Sequence, residues 1–207
     1  ENIMIGGTPI GLNEKPFIVA ELSGNHKGSI DRILELVDAA ASAGAHCIKL
    51  QSYKPEDMTL DIRNEDFMVL DPTSVWSQKS LYELYAEGET RREWHEAIFK
   101  RAQSLGMEVF SSVFSADAID FLENLNVPAY KIASQECCDL ALVRAAASTK
   151  KPLIISTGMA TLGEINETVQ IVKDAGNEKL ILLKCTSNYP ADPSDSNLLT
   201  IKNMREI

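Results

Sequence analysis

Two lysines stand inside apolar runs, Lys49 in HCIKLQ and Lys131 in AYKIAS. An ammonium group in such a setting is costly to bury unless it meets an anion. Small hydroxyls recur in the same kind of run: Ser111 and Ser112 after MEVF, Ser134 after KIA, and Ser156 and Thr157 just before Gly158. Compact donors and a glycine allow close backbone approach, which makes a cradle for phosphate or carboxylate. Two cations accompanied by serines therefore predict a shared anionic ligand. Glu21, at the end of FIVAE, adds a carboxylate that can act as a general base, bind sugar hydroxyls or cap the helix that follows. A last polar group, Lys184, Thr186, Ser187, Asn188 and Tyr189, follows the run LILL.

The remaining chemistry-bearing residues are less organised. His26 is available for chemistry, His46 opens an apolar run and belongs at the end of the fold away from a site, and His95 follows Trp94 on a helical stretch and reads as packed. No HxH, HExxH or paired His/carboxylate arrangement occurs, so no metal site is expected within this chain. Four cysteines, Cys47, Cys137, Cys138 and Cys185, lack metal-finger spacing and suit a reducing cytoplasm. The adjacent thiols of Cys137 and Cys138 must point apart.

These residues need elements to position them. Apolar β-type runs predict strands over 17–21, 46–51, 107–112, 129–134, 152–157 and 180–186, each followed by a helical stretch. Alternation puts Lys49 and Gln51 on one face and Ile48 and Leu50 on the other, and sets Lys131 opposite Tyr130 and Ile132. Helical stripes run through Ile30, Ile33, Leu34 and Val37; through Trp94, Ile98, Ala102 and Leu105; through Ile119, Leu122 and Leu125; and through Ile165, Val169 and Val172. Thr90-x-x-Glu93 and Thr161-x-x-Glu164 read as capping boxes. Six βα units imply an α/β class with a parallel sheet covered by helices. In that class sites form at the carboxyl ends of the strands, where Glu21, the lysines, the small hydroxyls and the group 184–189 fall.

Spacing alone leaves a closed (β/α)8 barrel and an open doubly wound sheet both in play. A barrel usually takes about 250 residues and eight units, against 207 residues here. The chain ends inside what reads as the sixth helix and begins at Glu, so a longer polypeptide is expected. One connection breaks the rhythm: residues 52–88 form a long insertion after the second strand. Residues 52–96 hold eleven acids and five bases, a net charge of −6. Its position makes it a candidate substrate-covering lid, with SLYELY as a short helix packing Leu81, Leu84 and Tyr85 inward.

Composition narrows the classes further. Twenty Lys and Arg against thirty Asp and Glu give a net charge of −10, which excludes a general nucleic-acid coat. Apolar residues at 44% and charged residues at 24% fit a soluble globular domain and argue against disorder or coiled coil. No apolar run approaches the roughly 18 residues of a membrane helix, and no signal peptide is visible. Neither nucleic acid nor membrane is an expected partner.

FIVAELSGNHKGS, AGAHCIKLQSYKPEDMTL, PAYKIAS, KPLIISTGMATLGEI and LLKCTSNYPADPSDSNL together resemble the sialic acid synthase (NeuB) family over nearly the whole chain. ELSGNH, LYELYAEG, EWH and LLKCTS look most like its pseudaminic acid synthases. The resemblance implies the first six units of a TIM barrel, residues 1–207, with a C-terminal antifreeze-like domain beyond them. It implies a transferase that condenses phosphoenolpyruvate with an N-acetylated amino sugar, 2,4-diacetamido-2,4,6-trideoxy-altrose, to a nine-carbon nonulosonic acid and phosphate. The alternatives are an N-acetylneuraminate or legionaminate synthase on a mannosamine-type sugar, a class I aldolase using Lys184 as Schiff base, and a non-catalytic anion-binding paralogue.

Residue by residue, the resemblance assigns Lys49, Ser112, Lys131, Ser134, Ser156, Ser187 and Asn188 to phosphoenolpyruvate. It assigns Gln51, Tyr189 and Glu136 to the sugar, and Glu21 to catalysis through sugar binding or water activation. A divalent metal, Mn2+ or Mg2+, is implied with ligands beyond residue 207, as is a cytoplasmic homodimer. Departures from the family pattern at Arg91 and Arg92, at Val113 and Ser115, and at Gln135, Cys137 and Cys138 border the sugar-facing loops.

Overall fold

The computed structural model describes residues 2–188 and 190–206. The chain opens with an element absent from the strand reading, an antiparallel hairpin of β1 (Ile3–Ile5) and β2 (Thr8–Ile10). Ile5 pairs with Thr8, so Gly6 and Gly7 make a two-residue turn, with Gly6 at φ 56°. Gly-Gly between short apolar runs is itself a hairpin signal, because such turns need a positive φ. Two compact units then divide the chain: Phe17–Ala118, and Glu1–Pro16 with Ile119–Ile207.

In the unit Phe17–Ala118, β3 (Val19–Glu21) leads to α1 (Ile30–Ser42), and β4 (Cys47–Ser52) to α2 (Pro55–Met58), α3 (Leu81–Gly88) and α4 (Arg92–Ser104). The last strand of the unit is β5 (Glu108–Val113). The three strands are parallel in the order β3, β4, β5, in a register that aligns Glu21 with Lys49 and Gln51 with Ser112. Ser29 caps α1 by accepting from the Arg32 amide, and Ile33 and Val37 are fully buried. Burying each such side chain stabilises the unit by about 1.5–3 kcal/mol, which holds α1 against the sheet.

The expected capping box at Thr90 does not form. Helix α4 starts one residue late, with Arg91 at the cap and no side-chain cap bond. Thr90 is buried instead, and its Oγ1 has no partner among the described residues. Tertiary packing of Trp94, Ile98 and Phe99 has overridden the local capping signal.

The insertion is structured rather than loose. It contains α2, a 3-10 turn (Glu65–Phe67), a bridge between Met68 and Ser80, and α3, which Ser80 and Glu83 close with a capping box. Leu81, Leu84 and Tyr85 are half-buried and line an open cavity instead of packing into a core.

α5 (Ala116–Glu123) leads into the other unit, which contains β6 (Tyr130–Ile132), α6 (Leu140–Ser148), β7 (Leu153–Ser156), α7 (Leu162–Asp174), β8 (Leu180–Leu183) and α8 (Thr200–Met204). The strands β6, β7 and β8 are parallel, with Lys131 level with Ile154 and Ser156 level with Leu183. Here the predicted capping box holds: Thr161 Oγ1 accepts from the Glu164 amide, and Glu164 Oε2 accepts from the Thr161 amide. All six predicted strands exist: β4 and β5 keep their predicted length shifted by one residue, and the other four are two or three residues shorter than predicted. Their polar tips leave the ladder where hydroxyls and carbonyls find partners outside it. No described helix is long and apolar enough to cross a membrane.

Candidate active site

In the unit Phe17–Ala118 the strand tips bring Glu21, Lys49 and Ser112 together. Lys49 Nζ forms an ion pair with Glu21 Oε2 and donates to Ser112 Oγ at 3.2 Å. Their parallel register places these side chains on one face, with Ile48 and Leu50 fully buried on the other. Glu21 Oε1 accepts from the Ser23 amide at 3.1 Å and from Ser23 Oγ at 3.2 Å. These bonds hold Ser23 at φ 47°, an uncommon conformation for a residue with a Cβ. The carboxylate is thus aimed at the lysine by its own loop. Gln51, one alternation further along, lines an open cavity of about 1120 Å³ with Asn25, Tyr53, Trp76 and Tyr85.

The histidines of this unit are structural. His26 is fully buried; its Nδ1 accepts from the Gly28 amide at 3.0 Å, which leaves Nε2 to donate to the Gly88 carbonyl at 3.2 Å. Burial lowers its pKa, so it stays neutral and clasps the loop after β3 to the end of α3. His46 Nδ1 accepts from the Ile18 amide at the amino end of the sheet, as expected. His95 bonds Ser52 Oγ through Nε2 at 2.8 Å and the Arg91 carbonyl through Nδ1 at 3.0 Å. Burial pushes its pKa down to about 4.

The second cluster lies in the other unit. Lys131 is 6% exposed, and its Nζ donates to Ser156 Oγ at 2.7 Å and to the Ile132 carbonyl at 2.5 Å. Loss of hydration lowers its pKa to about 8, against the opposing pull of Cys185, Glu136 and Cys137. Glu136, in a 3-10 turn (Gln135–Cys138), is pushed upward by burial while Lys131 pulls it down. Its Oε2 is buried without a described partner. The same holds for Ser187 Oγ.

Gly158 packs between the serines. Its amide donates to Ser134 Oγ at 3.1 Å, and a Cβ there would come within 2.6 Å of Ser187 Oγ and 2.9 Å of Ser134 Oγ. Thr157 is structural, donating through its amide and Oγ1 to the Leu183 carbonyl. Lys131, Ser134, Glu136, Ser156 and Ser187 therefore converge, with buried donors and acceptors left over. Unsatisfied buried polar atoms are rare in folded proteins, so a polar ligand is the natural complement.

Other expected residues do not join either cluster. Asn188 is exposed on the segment after β8, and Tyr189 lies outside the described residues. Lys184 shares a strand face with Leu180 and Leu182 and lines a separate cavity with Val169 of α7 and Ile201 of α8. Its Nζ donates to the carbonyls of Cys185 and Asp195. Among the described residues no group of three His, Cys, Asp or Glu could hold a metal ion. One member of the second cluster went unread in the sequence: Cys185, whose Sγ lies 3.2 Å from Ser156 Oγ. Counting alternation on from Ile181 and Leu183 would have found it.

Known proteins are similar to this chain over most of its length. Residues 36–207 match the model of the NeuB family. The chain is 44% identical over 194 residues to the pseudaminic acid synthase of Campylobacter jejuni, covering 94% of this chain and 56% of that protein. It is 41% identical, with the same coverage, to the pseudaminic acid synthase of Helicobacter pylori. The crystal structure of N-acetylneuraminic acid synthetase from Leptospira borgpetersenii, in complex with citrate, superposes with a TM-score of 0.86 at 30% identity, covering all of this chain and 66% of that one. The chain thus spans about half the length of the curated relatives it matches. The parallel α/β barrel class expected from the sequence is borne out by that likeness. A family match over residues 36–207, most of the chain, establishes that it belongs to the NeuB family.

Proposed function

We propose that this chain supplies the phosphoenolpyruvate-binding part of a synthase that condenses phosphoenolpyruvate with an N-acetylated amino sugar, 2,4-diacetamido-2,4,6-trideoxy-altrose, to a pseudaminic acid-type nonulosonate. The observation that carries the reading is Lys131: a cation only 6% exposed whose described partners are a neutral hydroxyl and a neutral carbonyl. A buried charge held that way is costly until an anion arrives. The pseudaminic acid synthases among the relatives support the choice of sugar.

In the reaction C3 of phosphoenolpyruvate attacks the aldehyde carbon of the open-chain sugar. One carbon–carbon bond forms, water adds at C2, and the C2–O bond to phosphate breaks to leave the 2-keto acid. Lys131, Ser134, Ser156 and Ser187 bind the phosphate and carboxylate. The family resemblance assigns Lys49 and Ser112 to phosphoenolpyruvate as well. Glu21, held by Ser23, binds sugar hydroxyls or takes the proton of the attacking water. Glu136 has its pKa raised by burial, which suits a group that bonds a sugar hydroxyl or exchanges a proton with it. Gln51 lines the cavity proposed for the sugar, and the resemblance assigns Tyr189 to the sugar and Asn188 to phosphoenolpyruvate.

The described residues do not form a metal site, and none of these steps is assigned to one. For the full-length protein we propose a divalent metal, Mn2+ or Mg2+, with ligands outside this chain, a C-terminal antifreeze-like domain, a homodimer and a cytoplasmic location. The family resemblance supports each of these. No observation favours a Schiff-base aldolase, because Lys184 lies on the strand face opposite Ile181 and Leu183 and is engaged by two carbonyls.

The test is a mass-spectrometric assay of the full-length protein with phosphoenolpyruvate, Mn2+ and a panel of N-acetylated hexoses. A product equal in mass to both substrates plus water minus phosphate is expected with the trideoxy-altrose. Turnover only with N-acetylmannosamine would reassign the sugar. A borohydride-trapped lysine adduct with pyruvate, without phosphate release, would overturn the synthase.

A further inference from the structure

Ser156 sits at the carboxyl end of β7, 7% exposed, with two donors converging on its oxygen. Lys131 Nζ donates to it at 2.7 Å and Cys185 Sγ at 3.2 Å. A serine hydroxyl has two acceptor positions and one hydrogen. With both acceptor positions filled, that hydrogen can be given only to a third group. Lys131 alone would not achieve this, since a hydroxyl with one free lone pair can rotate between donating and accepting.

From this geometry we propose that Cys185 is a positioning residue: its thiol locks the Ser156 hydroxyl as a donor aimed at the anionic substrate. The inference rests on the phosphoenolpyruvate reading above. A third member of the cluster agrees with a ligand at this spot, because Ser187 Oγ, on the same segment as Cys185, is buried with no described partner. Only a donor at position 185 is called for. Cysteine meets that need as a small apolar side chain with a weak donor, which resists hydration better than serine.

The experiment measures phosphoenolpyruvate affinity by calorimetry on the full-length protein, wild type against Cys185→Ala, Cys185→Ser, Ser156→Ala and the Cys185→Ala/Ser156→Ala pair, with thermal melting of each. Cys185→Ala is expected to weaken binding about three- to tenfold, the worth of one neutral hydrogen bond. Cys185→Ser, which keeps a donor, recovers most of that loss. In the Ser156→Ala background Cys185→Ala adds nothing further, because the thiol acts only through that hydroxyl. Unchanged affinity in Cys185→Ala, or additive losses in the pair, overturns the inference and leaves the synthase reading standing. A serine variant as weak as the alanine one also overturns it, and if the alanine variant does not fold, a serine variant that binds tenfold or more weaker than wild type does the same. Wild-type protein that binds no phosphoenolpyruvate overturns both.

Discussion

Gly158 faces Ser187 so closely that a Cβ built on the glycine would lie 2.6 Å from the serine Oγ and 3.2 Å from the carbonyl oxygen of Cys185. The serine can rotate away, but the carbonyl belongs to the backbone and cannot. Gly158→Ala should therefore displace Ser187 and Ser134 from any ligand and weaken phosphoenolpyruvate binding by at least about tenfold, the worth of one charge-assisted hydrogen bond. Calorimetry measures the loss, and an unchanged circular dichroism spectrum separates it from unfolding. Full affinity in the variant would mean that the glycine is not part of the cradle.

Lys131 trades stability for binding. Its pKa falls from 10.5 to about 8 in the folded protein, so between those values the unfolded chain holds more protons. Stability then rises with pH through that window, and at neutral pH the buried charge is a net cost. Lys131→Met should raise the unfolding free energy at pH 7 by about 1–3 kcal/mol while abolishing phosphoenolpyruvate binding. Urea unfolding with and without the substrate reads both effects, and a destabilised variant would contradict the first.

The same lysine sets a pH limit. Anion binding needs the ammonium form, so kcat/KM for phosphoenolpyruvate should fall as pH rises through about 8. In Lys131→Arg, which stays protonated throughout, that limb should disappear from whatever activity remains. A flat wild-type profile to pH 10 would assign the phosphate to another group.

Lys49 and Glu21 make an ion pair at side-chain exposures of 18% and 33%. A partly solvated pair contributes little to stability, on the order of 1 kcal/mol or less. Lys49→Met should thus change the melting temperature little while weakening phosphoenolpyruvate binding tenfold or more. Glu21→Gln keeps the lysine hydrogen-bonded and should lower kcat more than substrate affinity. Equal losses of affinity in both variants would move Glu21 from chemistry to substrate positioning.

His95 is buried as a neutral ring, with its pKa at about 4 rather than the usual 6.5. Below 6.5 the unfolded chain takes up a proton that the folded protein refuses, so stability is lost as pH falls from 6.5 toward 4. The loss approaches about 3 kcal/mol over that range. His95→Gln should flatten this slope in urea midpoints between pH 7 and 4. An unaltered slope would place the acid sensitivity elsewhere.

Much of this was legible in the residues. Alternation alone separated Lys49 and Gln51 from Ile48 and Leu50, and the register of β4 with β5 preserves that division. The Thr161 and Glu164 box is local chemistry and formed as read. The Thr90 and Glu93 box is equally local, yet it failed, because Thr90 was buried and α4 began at Arg92. The Gly6-Gly7 hairpin was missed although its turn signal was present.

Chain periodicity determined which residues reach the strand tips and on which face, since a period of two leaves no choice once one face is buried. It could not determine what those residues do when they arrive. That the thiol of Cys185 meets Ser156, that Thr157 is tied to Leu183, that His26 clasps Gly88 and that Lys184 turns toward α7 all depend on groups 26 to 62 positions apart or on helix packing. Hydrogen bonds at such separations exist only after the strands have aligned, so only the tertiary structure could divide the polar residues into binding groups and structural ones.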